Sequence, residues 1–499
     1  MSTNATIDTL HAHAGETVTL SGWVSGKRSG GKIVFLQVRD GTGLCQCIVE
    51  AGVEEAFATA SQLERESSVY VTGEVREDAR SVGGYEIAVS VLTCIQAAHD
   101  YPITPKPHGV DFLMSHRHLW LRSSRPAAIM RIRHTLIKAV RNFFDERGFI
   151  LTDTPILTQG AGEDEQTLFP VAYFEQDAYL AQTGQLYLES ACMAHRKVYC
   201  FGPTFRAEKS TTRRHLTEFW MVEPEVAFAE LVDLLVLAVD FIWACVEAVL
   251  EHNSAELEAL GRDLAPLQKI QKPFVRMTYD DVVDSLRSDE MRQWVEQQLV
   301  EATQARDAAL KEMAQLESEL TQARKAWKQD KLQAKMATLR ETLVELERDV
   351  ENLPKHLKLA QSFEWGKDLG GSDETLIARR SERPVFVTHY PAEAKAFYMK
   401  RSPDNPKVVL NMDLLAPEGY GEIIGGSQRE DDLDTLESAI VAKGLQPEDY
   451  SWYLDLRRYG SVPHGGFGLG IERTLTWICG LKHVRETIAF PRTMGRMYP

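Results

Sequence analysis

FRAEKSTTRRHLTEFWMVEPEVAF, residues 205–228, is the segment on which the architecture turns. Its two ends read as strands around a polar loop that carries Lys209, Arg213, Arg214 and His215, so the whole is a cationic hairpin. A loop of that kind can clamp a polyphosphate. Arg206 offers a planar fork suited to an α-phosphate, and Phe219 offers a face for a purine. A solvated basic loop explains the same residues when they are taken alone.

Two later segments bear on the same chemistry. VPHGGFGLGIERTLTWICG, 462–480, reads as a Gly-rich turn leading into a helix that bears Glu472 and Arg473. Its GxGxG spacing lacks both the dinucleotide fingerprint and the lysine of a P-loop. The glycines instead allow close approach of backbone to a ligand or a neighbouring strand. NMDLLAPEGYGEIIGGSQREDD, 411–432, places Asp413, Glu422 and Arg429 on strands around a turn. Carboxylates beside a nucleotide site would hold Mg²⁺ through oxygen ligands, although ordinary salt bridges account equally well for any one of these residues.

The rest of the chain sets the frame. Its 499 residues, 44% hydrophobic and 26% charged, have the composition of a globular protein of roughly two to four domains, not of a disordered one. Seven cysteines, with Cys45 and Cys47 separated by one residue, fit neither a disulfide framework nor a CxxC zinc pattern, so a reducing cytoplasm is expected. The net charge of −16 opposes non-specific nucleic-acid binding but not a specific partner met by a local surface. The N-terminus lacks a basic start and an apolar core, and no run approaches the roughly 18–20 apolar residues that span a bilayer, so export and membrane insertion are not expected. His11/His13 and His116/His118 have no cysteine or carboxylate cluster at zinc-ligand spacing.

Residues 17–95 alternate apolar and polar positions in five short runs, TVTLSGWVSG, KIVFLQVRD, LCQCIVE, SVYVTGEV and YEIAVSVLTCI, with one helix in EEAFATASQLERE. Five strands and a helix suggest a small Greek-key barrel of the oligonucleotide-binding type, which would occupy 1–100. YPITPKPHG reads as extended, giving a linker over 101–124, and a larger domain of mixed strands and helices follows over 125–499. Between Arg287 and Asn352 there is no Gly or Pro. Leu310, Met313, Leu316, Leu320, Ala323 and Trp327, then Leu332, Met336, Leu339, Leu343, Leu346 and Val350, keep a 3,4 spacing. A single helix there would be about 100 Å long, so a hairpin inserted over 287–352 and turning near Lys328–Lys331 is expected. It is either a solvated appendage or a contact for tRNA or a partner, and its mixed charges supply no obvious basic face.

Together the three segments resemble the signature motifs of class II aminoacyl-tRNA synthetases: a helix and strand ending in Pro155, the FRxE loop and the GxGxER turn. Their order and spacing resemble the aspartyl/asparaginyl/lysyl subgroup, whose members carry an N-terminal barrel that reads the anticodon. The resemblance covers the chain apart from the charged insertion. It implies an α+β fold, with an OB-fold barrel and a catalytic domain of antiparallel sheet flanked by helices, and an ATP- and Mg²⁺-dependent ligase acting on tRNA as a cytoplasmic homodimer through the motif at Pro155. By residue-wise match it implies that Glu163 and Gln185 hold the substrate α-amino group and Arg206 the carboxylate and α-phosphate. Glu208 would hold adenine or a metal-linked water, His215 and Arg473 the β- and γ-phosphates, and Phe219 would stack on adenine. Arg214, Leu216 and Gly470 complete the ATP site, and Asp413 and Glu422 carry Mg²⁺. The stretch from Asp413 to Arg429 is two residues longer than in aspartyl members, a departure that falls on Asp413.

For the amino acid, aspartyl members carry a segment resembling SPQLYK, whose lysine pairs with the substrate carboxylate. Here Thr183, Gly184, Gln185, Leu186, Tyr187 and Leu188 stand instead. Leu188 removes the ammonium that an aspartate would need, and an unpaired buried charge costs several kcal/mol. Glu223, where aspartyl members have Asp, can accept from a carboxamide NH₂ whose oxygen faces Arg429. MVEPE with GGSQRE is similar to the asparaginyl pattern. The expected reaction is therefore activation of L-asparagine to its adenylate and transfer to tRNA(Asn). In the barrel, Phe35 and Gln46 match the positions that stack on and hydrogen-bond the central anticodon uridine, with Arg28 nearby; without the resemblance Phe35 reads as a core strand residue. Two alternatives stand. An ammonia-dependent asparagine synthetase on the same core would lack residues 1–100, and a catalytically silent binding protein would not be expected to keep Arg206, His215, Glu422 and Arg473 together.

Overall fold

The structure, a computed structural model, describes residues 3–160, 162, 165–210 and 212–499, apart from the side chains of residues 165, 326, 327 and 330. The chain forms two compact units, Met1–His108 and Gly109–Pro499. In the first, strands Thr17–Gly30, Ile33–Arg39, Leu44–Glu50, Ser68–Glu77 and Tyr85–Gln96 close into a barrel. Thr17–Gly30 pairs antiparallel with both Ile33–Arg39 and Ser68–Glu77, and Leu44–Glu50 runs parallel to Tyr85–Gln96, which completes the ring. Strict alternation drives the closure. Val34, Leu36 and Val38 enter the core with Cys45, Cys47 and Val49, while Phe35 and Gln37 face outward.

Part of the stretch expected as linker is helical, at Val110–Ser115 and Arg117–Trp120. Arg117 is 1% exposed and donates to the carbonyls of Ala489 at 2.8 Å and Ile488 at 2.9 Å. Satisfying a buried guanidinium through carbonyls far along the chain anchors this segment to the second unit, and local composition carries no sign of it.

The second unit is built on an eight-stranded sheet in the order Val275–Thr278, Val385–Thr388, Asn411–Ala416, Gly421–Gln428, His464–Gly470, Glu218–Ala227, Lys197–Phe205, Ile150–Leu151. The inner strands pair antiparallel, as expected. The outermost strand at each edge instead runs parallel to its neighbour, so the sheet is mixed. Parallel pairing needs a long crossover, and the charged insertion lies inside one of them, between Val275–Thr278 and Val385–Thr388. Helices Ser124–Asp145 and Leu231–Ala259 share one core with the sheet, where Leu136, Phe144, Phe241 and Ile242 meet Met412, Ile424 and Leu469. Each such side chain contributes about 1.5–3 kcal/mol when fully buried.

The insertion is a helical hairpin, Asp289–Gln322 and Ala326–Gln361. Its turn lies at 323–325, earlier than Lys328–Lys331, and its second helix passes Asn352 and continues through Pro354. The seam joins Ala309, Met313 and Leu316 to Leu332, Met336 and Leu343. Leu310 is left 46% exposed. Positions 309, 313, 316 and 320 keep alternating steps of four and three, whereas a start at Leu310 gives two steps of three in succession, so Ala309 is the residue that joins the seam.

Candidate active site

A cavity of about 810 Å³ opens on the sheet of the second unit. Strands Lys197–Phe205 and Glu218–Ala227 form the expected hairpin, which brings Arg206, Glu208, Arg214, His215, Leu216 and Phe219 to the cavity wall. The Arg206 guanidinium lies 5.5 Å from the Phe219 ring. His215 Nε2 meets Glu208 at 3.0 Å, a contact that holds the Glu208 carboxyl below the usual range against the opposite pull of burial. Its Nδ1 faces the hydroxyls of Ser210 and Thr212. Arg214 donates to Thr375 Oγ1 at 2.8 Å and to the Gly419 carbonyl at 2.6 Å. Arg473, on helix Ile471–Ile478, donates to the Glu422 carbonyl at 3.3 Å and carboxylate at 3.4 Å.

The glycine segment that reads as a turn is instead the strand His464–Gly470, inside the sheet. A Cβ at Gly466 would fall 2.1 Å from the Pro224 carbonyl oxygen, and one at Gly468 would fall 2.4 Å from Met221 Cε. These glycines admit a neighbouring strand, and Gly470 ends the strand at the cavity wall.

Thr183, Gln185, Glu223 and Arg429 line the same cavity. Glu223 accepts from the Thr183 hydroxyl and from the Gly184 N–H at 2.9 Å, with the Cys200 thiol at 3.3 Å. Arg429 is gripped at two points by Glu225, Nε to Oε1 at 3.0 Å and Nη2 to Oε2 at 2.9 Å, and its Nη1 donates to Ser427 Oγ at 2.8 Å. Behind that pair, Glu189 accepts from Arg457 Nη2 at 2.8 Å and Tyr453 Oη at 2.8 Å, with His464 Nε2 at 3.0 Å. Burial alone would raise Glu189, but Arg457 and His464 hold its carboxyl well below the usual range. Glu189, Glu225, Arg457 and His464 escape a reading of motifs. The signal available for Glu225 is its two-residue spacing from Glu223, which puts both on one face of a strand. Glu189 lies one helical turn past Gln185, whose Nε2 donates to it at 3.1 Å.

Leu188 is not brought to this cavity. Its side chain is fully buried among Cys192, Val198 and Cys200. Its neighbours in the helix, Gln185 and Glu189, take the polar side, so Leu188 shapes the site by lacking charge and not by touching a ligand. Glu163 lies outside the described residues.

Asp413 and Glu422 both approach Gly425, with Glu422 Oε1 2.8 Å and Asp413 Oδ1 3.7 Å from the position of a Cβ there. Glu374 accepts the Glu422 N–H at 3.1 Å and adds a third carboxylate that the sequence reading missed. The hard carboxylate oxygens of Asp413 and Glu422 suit Mg²⁺, while among the described residues no trio that includes them brings its donor atoms within 4.8 Å of one another. Asp413 is also claimed by Lys395, whose Nζ lies 3.0 Å from it and 3.0 Å from Asp368. Burial, with Lys395 opposing, pushes the Asp413 carboxyl up to about 7. A metal there competes with an ammonium, which makes Glu422 the firmer ligand. Glu189, Glu225 and His464 also bring donor atoms within 4.8 Å of one another, but Arg429 and Arg457 already neutralise those carboxylates.

In the barrel unit, Arg28 stands opposite Phe35 across a strand pair. Gln46 lies 3.5 Å from Arg28 Nη2 and donates to Glu86 at 3.2 Å. Phe35 is half-buried on the outer face and takes no part in the barrel core.

Comparison with known proteins agrees with this geometry. Residues 109–494 match the family described as tRNA synthetases class II (D, K and N), and residues 18–95 match the OB-fold nucleic acid binding domain. An asparagine–tRNA ligase of Sorangium cellulosum is 49% identical over 98% of both chains, and one of Chloroflexus aurantiacus is 47% identical over 99% of both. The crystal structure of asparaginyl-tRNA synthetase from Pyrococcus horikoshii complexed with asparaginyl-adenylate superposes with a TM-score of 0.80, at 40% identity, over 98% of this chain and 97% of that one. The matched family spans most of the second unit, including every segment that builds the cavity, and the chain belongs to the class II tRNA synthetases of the aspartate, lysine and asparagine group.

Proposed function

We propose that the protein is an asparagine–tRNA ligase, activating L-asparagine with ATP and passing it to tRNA(Asn). The observation that carries this reading is the state of Arg429. Its charge is already matched by Glu225, so Arg429 does not offer an uncommitted cation to a carboxylate on the substrate side chain. A carboxamide places its oxygen against the remaining Arg429 N–H groups and its NH₂ against Glu223. The relatives at 47–49% identity, which are asparagine–tRNA ligases, support the same substrate.

In the proposed reaction an asparagine carboxylate oxygen attacks the α-phosphorus of ATP in line. The bond from that phosphorus to the α–β bridging oxygen breaks, and pyrophosphate leaves with the electron pair. Arg206 faces the carboxylate and α-phosphate, His215 and Arg473 face the outer phosphates, and Phe219 offers its ring to adenine. Mg²⁺, held by Glu422 with Asp413 or Glu374, would supply charge neutralisation on the phosphates. The terminal ribose hydroxyl of tRNA then attacks the acyl carbon and releases AMP. Positioning and preorganised charge carry the barrier reduction, which suits a site with no nucleophilic side chain in the scheme. Glu163 is proposed to join Gln185 at the α-amino group.

The outward-facing Arg28, Phe35 and Gln46 support anticodon reading by the barrel. Ile150, Ile156 and Leu157, 42–46% exposed around Pro155, support a homodimer through that segment. Among the described residues no helix is long and apolar enough to cross a membrane, which is compatible with the proposed cytoplasmic setting.

Charging of unfractionated tRNA with labelled asparagine tests the reading. Ammonia-independent formation of asparaginyl-tRNA is expected. Asparagine made from aspartate only when ammonia is added would replace this reading with an amidating enzyme.

A further inference from the structure

Beside the active site lies a second cavity of about 690 Å³, between the helical hairpin and the catalytic core. That volume falls within the roughly 300–1,000 Å³ of small-ligand sites. Its wall is cationic. Arg213, Arg214, Arg473 and Lys482 come from the core, Arg379 from helix Gly371–Arg379, and Arg348 with His356 from the second hairpin helix.

The facing carboxylates are already engaged. Glu418 is held at two points by Arg262, at 2.7 and 2.6 Å, and Asp349 pairs with Arg379 at 3.0 Å. Glu345 lies 3.5 Å from Lys482 and 4.0 Å from Arg213. No carboxylate comes within ion-pair distance of Arg348 among the described residues. The cations also crowd one another. Burial and the Arg348 charge hold Arg213 below its usual range, and burial, opposed by Glu374, lowers Arg214 with help from Arg473, Arg379 and Arg348. His356 is lowered by burial and by Arg379.

Arg214, His215 and Arg473 line both cavities, so the side chains facing the outer phosphates of a bound nucleotide also face the hairpin space. Guanidinium forks match phosphate oxygens two at a time, and a compact polyanion relieves the mutual repulsion of this wall. We propose that the hairpin cavity binds inorganic pyrophosphate, which leaves the nucleotide site along the shared Arg214 and Arg473 and is held by Arg348 before release. The inference rests on the ATP-dependent activation proposed above. It gives the insertion a role: the hairpin, whose charges look evenly mixed along the sequence, turns Arg348 and His356 toward the reaction centre.

The test uses the full-length enzyme and measures the KM for pyrophosphate in ATP synthesis from enzyme-bound asparaginyl-adenylate, alongside the KM for ATP in the forward direction. Loss of one charge-assisted phosphate contact in Arg348→Ala is expected to raise the KM for pyrophosphate about tenfold, well beyond any change in the KM for ATP. Arg348→Lys, which keeps the charge but not the fork, should recover part of the loss, and Arg292→Ala, on the hairpin away from the cavity, serves as a control for hairpin folding. An unchanged KM for pyrophosphate, or equal shifts in both constants, overturns the proposal. So does a rise confined to the KM for tRNA, which would assign the cavity to nucleic-acid phosphates. Wild-type enzyme that exchanges no pyrophosphate with asparagine present would instead remove the functional reading itself, a separate result.

Discussion

Glu225 grips Arg429 with both carboxylate oxygens, at 3.0 and 2.9 Å, in a pair almost wholly buried under the amino-acid pocket. The consequence is electrostatic. A cation so neutralised is a weak partner for a second carboxylate and an adequate hydrogen-bond donor for an amide oxygen. Glu225→Gln keeps the shape and removes the neutralising charge. The ratio of kcat/KM for asparagine to that for aspartate is expected to fall by about tenfold or more, since a buried polar mismatch is worth about 1–3 kcal/mol. An unchanged ratio in a folded variant would place discrimination elsewhere.

Leu188→Lys tests the other half of the argument. Putting the aspartyl-type lysine at this position buries an ammonium among Cys192, Val198 and Cys200. Thermal denaturation should show a loss of several kcal/mol, with no gain in aspartate activation. A stable variant that activates aspartate would mean that the new side chain reaches the pocket.

Glu189 supplies the pH dependence. Its folded pKa is held below the unfolded value of about 4.3, so its contribution to stability is complete above that pH and is lost as pH falls through the lower folded value. Glu189→Gln should cost about 3–5 kcal/mol near neutrality, as expected for breaking a buried ion pair. The difference in Tm between wild type and variant should stay level from pH 8 to 5 and narrow only in more acid solution. Narrowing between pH 6 and 8 would contradict the assignment.

At the metal end, chelation of divalent cations should abolish adenylate formation. Glu422→Gln is expected to lower its rate by about 10²–10³, the range for loss of one transition-state charge contact, and to raise the Mg²⁺ requirement. Asp413→Asn, whose parent carboxylate is shared with Lys395, should have the smaller effect in a Mg²⁺ titration. The reverse order would make Asp413 the principal ligand.

On the barrel, Phe35→Ala should weaken tRNA binding by about 1–3 kcal/mol, the worth of one stacked base, and leave tRNA-independent exchange untouched. Equal losses in both assays would return Phe35 to a structural role.

Much of the fold could be read from local pattern. The barrel followed from two-residue alternation, and the cationic hairpin from strand runs around a charged loop. What local pattern could not supply was partnership over distance. Residues 110–120 look like a linker until Arg117 meets carbonyls near residue 488, and nothing near Glu189 announces Arg457 or His464. Glycines normally weaken strands, so His464–Gly470 reads as a turn until the approach of Pro224 and Met221 explains them. Lys395 had no motif of its own, and its bearing on Asp413 comes only from the packing between them.

Amino-acid choice is tested by ATP–pyrophosphate exchange with asparagine and aspartate side by side on one preparation of enzyme. Exchange that depends on asparagine, with aspartate at background, is the predicted result. Exchange that runs on aspartate would contradict the reading of Arg429, Glu225 and Glu223 as an amide-selective pocket.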